Sequence, residues 1–216
     1  MTHTILAFLK FGDEARINEM YEKGTIFINT IEYFRKHKSQ KGRGDPYEGV
    51  SKIKNYPPGE IEIKEINYKG KYLNLHIKET HEVVLGNILS LYSVSSKWCE
   101  DPTQFKIDKR MFEFGSHCLM IKDNQKFLTL LENKLYELGF KYVHNFVTYY
   151  NKNEINGEIN LFQKNLDYEY QREFRFYIEN DISSPIKFEI GSLKEIAEIH
   201  PTKDIIELEL RTNTTI

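Results

Sequence analysis

One stretch, residues 167–180, reads DYEYQREFRFYIEN, and the rest of the chain is expected to form a frame that presents it as the functional segment. Its side chains alternate in character as they do in a β-strand that has one buried face. The core-facing set is Arg172, Phe174, Phe176 and Ile178, and the opposite set is Gln171, Glu173, Arg175 and Tyr177. We therefore expect a half-buried strand that presents an amide, a carboxylate and a guanidinium in a row.

The polar face of this strand has two interpretations. Side chains two residues apart on a strand are roughly 7 Å apart, so Gln171 and Glu173 can grip one sugar-sized group together. The alternative is a solvated face on which Glu173 and Arg175 form an ion pair worth less than about 1 kcal/mol. Charged outer faces are the default in proteins. The alternation alone leaves both interpretations open.

Length and charge limit the classes of protein to which the chain can belong. The 216 residues carry 30 basic and 32 acidic side chains, for a net charge of −2. These charges are well mixed, so binding of duplex nucleic acid through a broad basic face is not expected. No segment has the composition of a linker and no internal repeat is present, so we expect one domain over residues 1–216. No apolar run approaches the roughly 20 residues that a membrane span requires.

The two cysteines and the N-terminal sequence indicate a cellular compartment. Cys99 and Cys118 are too few for a disulfide framework and are not spaced for zinc. The first apolar run has no basic residues before it and no small-residue cleavage site after it. We expect a cytoplasmic protein with reduced thiols. Leu119 and Met120 flank Cys118, which is therefore expected to act as a small buried hydrophobe.

The N-terminal part of the chain is expected to alternate strands and helices. Residues 5–11 form the first strand, and Asp13 caps a helix that ends at Gly24. Residues 25–28 form a short strand, after which Asn29 and Thr30 cap a brief helix. The loop at residues 39–49, SQKGRGDPYEG, has three glycines and a proline. Its restricted backbone should hold three charged side chains at short range; these are Arg43, Asp45 and Glu48.

The remainder of the chain is expected to be rich in strands. Residues 60–79 resemble a hairpin that turns at Lys69-Gly70. Residues 83–96 and 114–121 read as further strands, with Gly86 as a bulge in the first of them. One helix, residues 124–139, has an apolar stripe made of Phe127, Leu130, Leu131, Leu135 and Leu138. This pattern predicts a strand-rich α+β domain in which two packed, mainly antiparallel sheets are flanked by a few helices.

A metal-dependent nuclease is one alternative that the sequence allows. Glu62-Ile63-Lys64 lies behind Asp45 in the chain, an order that resembles the acid and Glu-x-Lys groups with which nucleases hold magnesium and activate water. Strands rich in Glu and Lys produce this triplet by chance. The seven histidines lack zinc-ligand spacing, and the chain has no glycine-rich phosphate loop. We therefore expect no dedicated metal site.

Most of the chain resembles a widespread bacterial family of unknown function. The resemblance is carried in order by LKFGDEARINEMYEKGTIFINTIEYFR, RGDPYEG, LYSVSSKW, FGSHCLMI, YEYQREFRF and FEIGSLKEI. The family is characterised by an Asn/Gly-Asp-Pro-Phe/Tyr-Glu turn and a late Glu/Gln-x-Glu-x-Arg strand. Here the turn is Gly44-Asp45-Pro46-Tyr47-Glu48, and the late motif begins with Gln171. Membership implies no established activity.

A weaker similarity to ADP-ribosyltransferases implies a mechanism with NAD as the substrate. Three segments appear in the order that this family shows, namely Lys10, Ser93-Val94-Ser95 and Gln171-Arg172-Glu173. Lys10 stands where the family has Arg or His. The resemblance implies an ADP-ribosyltransferase-like fold, in which Glu173 holds the ribose and favours the oxocarbenium-like charge. Gln171 would orient the incoming nucleophile, and Ser93 would position Glu173.

The same resemblance implies a wider binding set and a biological setting. Tyr92 or Tyr170 would stack on nicotinamide or on the acceptor. The residues expected to bind the nucleotide are Lys10, Tyr92, Ser95, Arg43, Asp45, Glu48, Tyr170 and Arg175. The chemistry would be ADP-ribosyl transfer or NAD hydrolysis, in a toxin or a phage-defence effector. The acceptor is left open.

The main rival interpretation is a protein without catalytic activity. Arg43, Asp45, Glu48, Glu173 and Arg175 would then form a charged network that shapes a pocket for a nucleotide-like ligand or a partner. In both interpretations the turn at residues 43–48 should lie near the Glu173 face, because loops with restricted backbone often hold functional residues. An open cleft with Ser93 beside Glu173 favours the enzyme. A Glu173 carboxylate with both oxygens tied to arginines favours the binding module.

Overall fold

A computed structural model describes residues 3–36, 44–99 and 101–210 of the chain. The helices are α1 (Glu14–Lys23), α2 (Ile31–Lys36), α3 (Asn124–Glu137) and α4 (Thr202–Ile206). The strands are β1 (Ile5–Gly12), β2 (Thr25–Thr30), β3 (Val50–Tyr56), β4 (Gly59–Ile63), β5 (Tyr68–Tyr72), β6 (Leu75–Thr80), β7 (Asn87–Ser95), β8 (His117–Ile121), β9 (Tyr142–Phe146), β10 (Thr148–Tyr150), β11 (Gly157–Glu158), β12 (Gln163–Asn165), β13 (Glu173–Ile178), β14 (Ile186–Glu189) and β15 (Ala197–Pro201). Short 3-10 helices span Lys64–Ile66, Pro102–Gln104, Lys109–Phe114 and Leu166–Gln171. The predicted α+β class is confirmed.

Eight strands form the main sheet, and the others form three small sheets. The order in the main sheet is β14-β2-β7-β1-β8-β15, and β13 lies between β7 and β9. The small sheets are β11-β3-β6, β4-β5 and the parallel pair β10-β12. All pairings except the last are antiparallel. Mainly antiparallel pairing was predicted from the sequence and is observed. Two packed sheets were also predicted, whereas the structure has one main sheet and three small ones.

The main sheet opens between β1 and β2, and this opening positions the candidate site. One edge of β7 pairs with β13 from Asn87 to Tyr92. The opposite edge pairs with β2 only at Asn87 and Ile88, and with β1 only from Tyr92 to Ser95. Within the described ranges, no strand pairs with residues 89–91 on that edge. A cleft therefore lies beside the middle of β7.

Two apolar cores lie on opposite faces of the main sheet. Adjacent residues of β1 show this, because Phe8 belongs to one core and Leu9 to the other. Helix α3 packs on the first core through fully buried Leu131 and Leu135, which confirms the predicted stripe, whereas Leu138 is 43% exposed. Each large side chain buried in this way contributes about 1.5 to 3 kcal/mol.

Helix α1 begins and ends as predicted, and α2 begins as predicted. The Asp13 side chain accepts a hydrogen bond from the Arg16 backbone N–H, and Gly24 ends α1 with φ of 66°. This left-handed backbone favours glycine, which has no Cβ. The Thr30 hydroxyl accepts a hydrogen bond from the Tyr33 N–H at the start of α2. Local capping chemistry thus sets both ends of α1 and the start of α2.

Three local predictions were wrong in their boundaries. The β4-β5 hairpin turns through Lys64–Ile66 and Asn67, which has φ of 49°, so that Lys69-Gly70 lies inside β5. Gly86 is not a bulge, because β7 begins one residue later. Gly86 has φ of 95°, and a Cβ there would lie 2.3 Å from Tyr177, so both its backbone and its neighbour require glycine. The strand predicted over residues 114–121 begins only at His117, after a 3-10 helix.

Two findings concern the membrane and the cysteines. Within the described ranges, no helix has both the length and the apolar character needed to cross a membrane. Cys118 is fully buried beside Leu9 and Met111 in the second core, as predicted. Burial raises the pKa of its thiol, which keeps it in the neutral form.

Candidate functional site

Residues 167–180 begin in a short helix and continue as a strand. Residues Leu166–Gln171 form a 3-10 helix, and β13 starts only at Glu173. Arg172 joins them in a left-handed conformation with φ of 41°, which is strained for a residue that has a Cβ. The prediction of one strand over residues 167–180 is therefore wrong in its first part.

Both faces of β13 are buried, which excludes a solvated charged face. Glu173, Phe174, Arg175 and Phe176 are each at most 5% exposed. The phenylalanines belong to the first core, whereas the charged pair faces the other way. Burial of two charges is costly unless each is paired and hydrogen-bonded. The partners of Glu173 and Arg175 thus define the candidate site.

A cleft of about 240 Å³ occupies the opening of the main sheet. Its walls include apolar residues of β1, α1 and β7, such as Leu9, Ile17 and Leu91. The charged and polar side chains that line it include Lys10, Ser90, Lys164, Gln171, Glu173 and Arg175. The cleft therefore combines apolar walls with a concentrated set of charges, as small-molecule sites do.

The Glu173 carboxylate is held by three side chains. Its Oε1 accepts a hydrogen bond from Lys164 Nζ at 2.5 Å. Its Oε2 accepts hydrogen bonds from Ser90 Oγ at 2.6 Å and from Arg175 Nη2 at 3.0 Å. Burial raises the pKa of this carboxyl, but Lys164, Arg175 and the hydrogen bonds outweigh burial and hold the pKa well below its ordinary value. Glu173 is therefore ionised at neutral pH.

Arg175 connects Glu173 to the turn near residue 48. Its Nη1 and Nη2 donate to the two carboxylate oxygens of Glu48, at 2.7 and 3.1 Å. Nη1 also donates to the carbonyl of Leu161 at 2.7 Å. Burial lowers the pKa of the guanidinium, but the charges of Glu48 and Glu173 raise it by more than burial lowers it. The pKa of Arg175 therefore lies above its ordinary value. A bidentate pair of this kind fixes geometry as well as charge.

The glycine-rich turn reaches the Glu173 face, as predicted. Glu48 binds Arg175, which in turn binds Glu173. Asp45 is 2% exposed, and its Oδ1 accepts from the Tyr47 N–H at 2.8 Å. Burial raises the pKa of Asp45 to about 6; Lys164 opposes this rise and Glu48 adds to it. Arg43 lies outside the described residues.

Lys164 is a site residue that the sequence analysis missed. It is 6% exposed, in the short strand β12. Its ammonium donates to Gln171 Oε1 at 2.7 Å as well as to Glu173. The ammonium also lies 4.7 Å from the ring centre of Tyr168. An irregular segment around an isolated lysine gave no periodic signal that would have found it.

Ser90, rather than Ser93, contacts Glu173. Ser93 Oγ donates to the Arg172 carbonyl at 2.8 Å and accepts from Trp98 Nε1 at 2.8 Å. Ser93 therefore does not contact the Glu173 side chain, and the prediction that it positions this side chain is wrong. Ser93 instead binds the backbone of Arg172, the strained residue that precedes Glu173. The sequence of β7, NILSLYSVS, has three serines, and its pattern does not distinguish Ser90 from the other two.

The other predicted binding residues are divided between the cleft and its surroundings. Lys10 lines the cleft and donates through Nζ to the Ser90 carbonyl at 2.9 Å. Tyr92 also lines it, and burial raises the pKa of its phenol. Ser95 is buried at the far end of β7, opposite Ile5 and outside the cleft. Tyr170 accepts from Gln171 Nε2 at 3.2 Å, but it does not line the cleft.

Tyr170 stacks against a cation away from the cleft. The Arg110 guanidinium carbon lies 3.8 Å from the centre of its ring. Arg110 in turn binds Asp108 at 2.7 Å. This cation–π contact uses one face of the phenol ring. Tyr92 is therefore the predicted stacking residue that faces the cleft.

The acidic residues considered for a nuclease lie in different environments. Glu62 is half exposed on the β4-β5 hairpin, where it pairs with Lys69 at 3.2 Å. Asp45 is buried beside the charged network. Within the described ranges, no group of three or more His, Cys, Asp or Glu side chains is arranged to hold a metal ion.

The three segments that resemble ADP-ribosyltransferases lie on neighbouring strands. Lys10 is on β1, Ser93-Val94-Ser95 on β7 and Glu173 on β13, and β7 pairs with both of the others. No family model, curated protein or solved structure matches the chain. The interpretation of the site therefore depends on its own geometry.

Proposed function

We propose that this protein cleaves the bond between nicotinamide and ribose in NAD and transfers ADP-ribose to an acceptor or to water. One observation carries the proposal: Lys10, Ser90 and Glu173, from three neighbouring strands, are linked by hydrogen bonds in one cleft. The similarity to ADP-ribosyltransferases associates the segments of Lys10 and Glu173 with NAD, and Ser90 lies three residues before Ser93 on the strand that carries the third segment. Their convergence supports that assignment.

The chemistry needs a fixed negative charge in a site that largely excludes water. When the glycosidic bond breaks, its electron pair leaves with nicotinamide, and the ribose becomes oxocarbenium-like. An ionised carboxylate beside the sugar stabilises this positive charge. Glu173 is ionised, 4% exposed and in the cleft lining. The incoming nucleophile then bonds to the sugar carbon and releases a proton.

The neighbours of Glu173 would act by positioning it. Ser90 and Arg175 hold Oε2, while among the described residues Oε1 accepts one hydrogen bond, from Lys164. A carboxylate oxygen can accept two hydrogen bonds, so Oε1 can accept a second one from a ribose hydroxyl. In this proposal Gln171 orients the nucleophile and Tyr92 stacks on nicotinamide.

The size of the cleft suggests which part of NAD it encloses. Sites that enclose a whole drug-sized ligand measure roughly 300 to 1,000 Å³. The cleft measures about 240 Å³. The proposal therefore places nicotinamide and its ribose inside, while the adenosine end extends beyond. In the cytoplasm, such an enzyme would act as a toxin or a phage-defence effector.

The direct test is to incubate the purified protein with NAD and to measure free nicotinamide. The assay should be run with water alone and then with protein, nucleic-acid and small-molecule acceptors. Release of nicotinamide by the wild type is the expected result. Intact NAD under all these conditions would contradict the proposal.

A second candidate function is the binding of a nucleotide-like ligand without turnover. The observation in its favour is that cations hold both oxygens of Glu173, Lys164 on one and Arg175 on the other. Such a network also serves as a rigid wall of a pocket. Calorimetric titration with NAD that shows saturable binding, together with no release of nicotinamide, would favour this function.

A further inference from the structure

Lys164 bridges the two residues to which the proposed function assigns the chemistry. It enters from β12, and its side chain is 7% exposed. One ammonium group donates to Gln171 Oε1 at 2.7 Å and to Glu173 Oε1 at 2.5 Å. Both partners line the cleft, and so does Lys164. The bridge is therefore part of the wall that a substrate would meet.

The backbone between Gln171 and Glu173 is irregular. Gln171 ends a 3-10 helix, Glu173 starts β13, and Arg172 between them has φ of 41°. Strand geometry therefore does not set the spacing of the two side chains, as it would along a continuous strand. A contact that joins the two side chains contributes to their relative position. Lys164 supplies that contact.

The ammonium also decides how the Gln171 amide is turned. A lysine ammonium has three donors and no acceptor, so it selects the carbonyl end of the amide. The opposite end, Nε2, donates to the Tyr170 hydroxyl at 3.2 Å. The two contacts therefore fix the orientation of the amide.

We infer that Lys164 is a positioning residue that holds the Gln171 amide and the Glu173 carboxylate together as one unit on the cleft wall. The inference rests on the proposed function for the roles of Gln171 and Glu173. It goes beyond that function because no feature of the sequence assigned a role to Lys164. A group that is misplaced by about 1 Å can lose roughly 100-fold in rate.

The test compares Lys164→Met with Lys152→Met, a matched control. Lys152 pairs with Asp167 at 2.7 Å and does not line the cleft. In Lys164→Met, kcat for nicotinamide release should fall about 100-fold while KM changes little, because chemistry rather than binding is affected. The acid limb of the pH–rate profile should move to higher pH, because Glu173 loses a cation. Lys152→Met should match the wild type in both respects.

Nuclear magnetic resonance separates this inference from the proposed function. In Lys164→Met, the side-chain amide signals of Gln171 should shift, and the carboxyl carbon of Glu173 should titrate at higher pH, even if NAD is never cleaved. Unchanged signals and an unchanged titration in the folded variant would overturn the inference. If nicotinamide is released, a wild-type kcat and pH profile would also overturn it.

Lys164→Arg keeps the inference testable if Lys164→Met does not fold. It retains the positive charge next to Glu173 and should therefore fold. A guanidinium is planar and larger than an ammonium, so its nitrogens would approach the two Oε1 atoms with a different geometry. The Gln171 amide signals should therefore shift in this variant, and any nicotinamide release should slow about 10-fold. Amide signals and rates identical to the wild type would contradict the inference.

Discussion

The Ser90 hydroxyl donates a hydrogen bond of 2.6 Å to Oε2 of Glu173. In the pairing of β7 with β13, Ser90 lies opposite Arg175, so that Glu173 is its diagonal neighbour on the same face. The Ser90 carbonyl meanwhile accepts from Lys10 of β1. Ser90 is therefore the residue at which β1, β7 and β13 meet.

Replacement of Ser90 by alanine should weaken both the fold and the site. A hydrogen bond to a charged group is worth about 1.5 to 3 kcal/mol, so the free energy of unfolding should fall by roughly that amount. Nicotinamide release should slow about 10-fold, because Glu173 loses a positioning contact. Ser51→Ala is the control, since that hydroxyl donates to the Glu79 carbonyl away from the cleft. Equal rates in wild type and Ser90→Ala would contradict the positioning role.

Replacement of Glu48 by glutamine should destabilise the protein strongly. Arg175 is 1% exposed and would lose its ionised bidentate partner, so that Arg175 and Lys164 would share the single carboxylate of Glu173. A buried charge that is left uncompensated in this way costs about 3 to 5 kcal/mol. Glu79→Gln is the matched control, because Glu79 is half exposed and pairs with Lys54 at 3.5 Å. That exposed pair is worth less than about 1 kcal/mol. Urea denaturation measures the free energy of unfolding of both variants. Similar losses in this free energy would contradict the stabilising role of the buried pair.

Asp45→Asn should stabilise the protein at neutral pH and leave it unchanged near pH 4. The folded-state pKa of Asp45, about 6, lies above its ordinary value of 3.8, so the folded state binds the proton more tightly. The free energy of unfolding therefore falls as the pH rises from about 4 to about 6. Asparagine cannot ionise, and it retains an oxygen for the Tyr47 N–H. The gain at pH 7.5 should reach up to about 3 kcal/mol.

Asp167→Asn provides the control for this pH dependence. The hydrogen bond from Lys152 holds the pKa of Asp167 below its ordinary value, so ionisation of Asp167 favours the folded state. That variant should therefore gain no stability at pH 7.5. Urea denaturation at several pH values measures both variants. A stability curve for Asp45→Asn that runs parallel to that of the wild type would refute the role of Asp45.

Leu135→Ala should cost about 2 to 5 kcal/mol, because Leu135 is fully buried in the core between α3 and the sheet. Leu138, three residues later, is 43% exposed and serves as the control. Its replacement by alanine should change stability by roughly 0.5 kcal/mol or less. Thermal unfolding measured by circular dichroism distinguishes the two. Equal losses would mean that the stripe of α3 does not pack as described.

The parts of the fold that depend on neighbouring residues could be predicted. Asp13 and Gly24 end their helix through bonds within a few residues, and the α3 stripe follows from helical periodicity. The predicted position of the hairpin turn was wrong for a local reason. Asn67 and Gly70 are both residue types that tolerate positive φ, and composition does not show which of them takes it.

The contacts of the site could be predicted only in part. The turn containing Glu48 was expected near Glu173, because its restricted backbone indicated a functional loop. Ser90 was missed, because its place opposite Arg175 depends on the register between β7 and β13, and periodicity does not supply register. Lys164 was missed because its partners are brought to it by the helical turn before β13.

In the proposed function an ionised Glu173 in this cleft drives cleavage of NAD, and the decisive measurement is the rate of nicotinamide release by Glu173→Gln. Glu169→Gln, which alters an exposed carboxylate nearby, is the control. Both should be assayed at a temperature at which circular dichroism shows them folded, because Glu173 also pairs with Lys164 and Arg175. We predict a rate lower by about 100-fold or more in Glu173→Gln, and an unchanged rate in Glu169→Gln. Nicotinamide release by folded Glu173→Gln at the wild-type rate, or no release by the wild type with any acceptor, would contradict the claim.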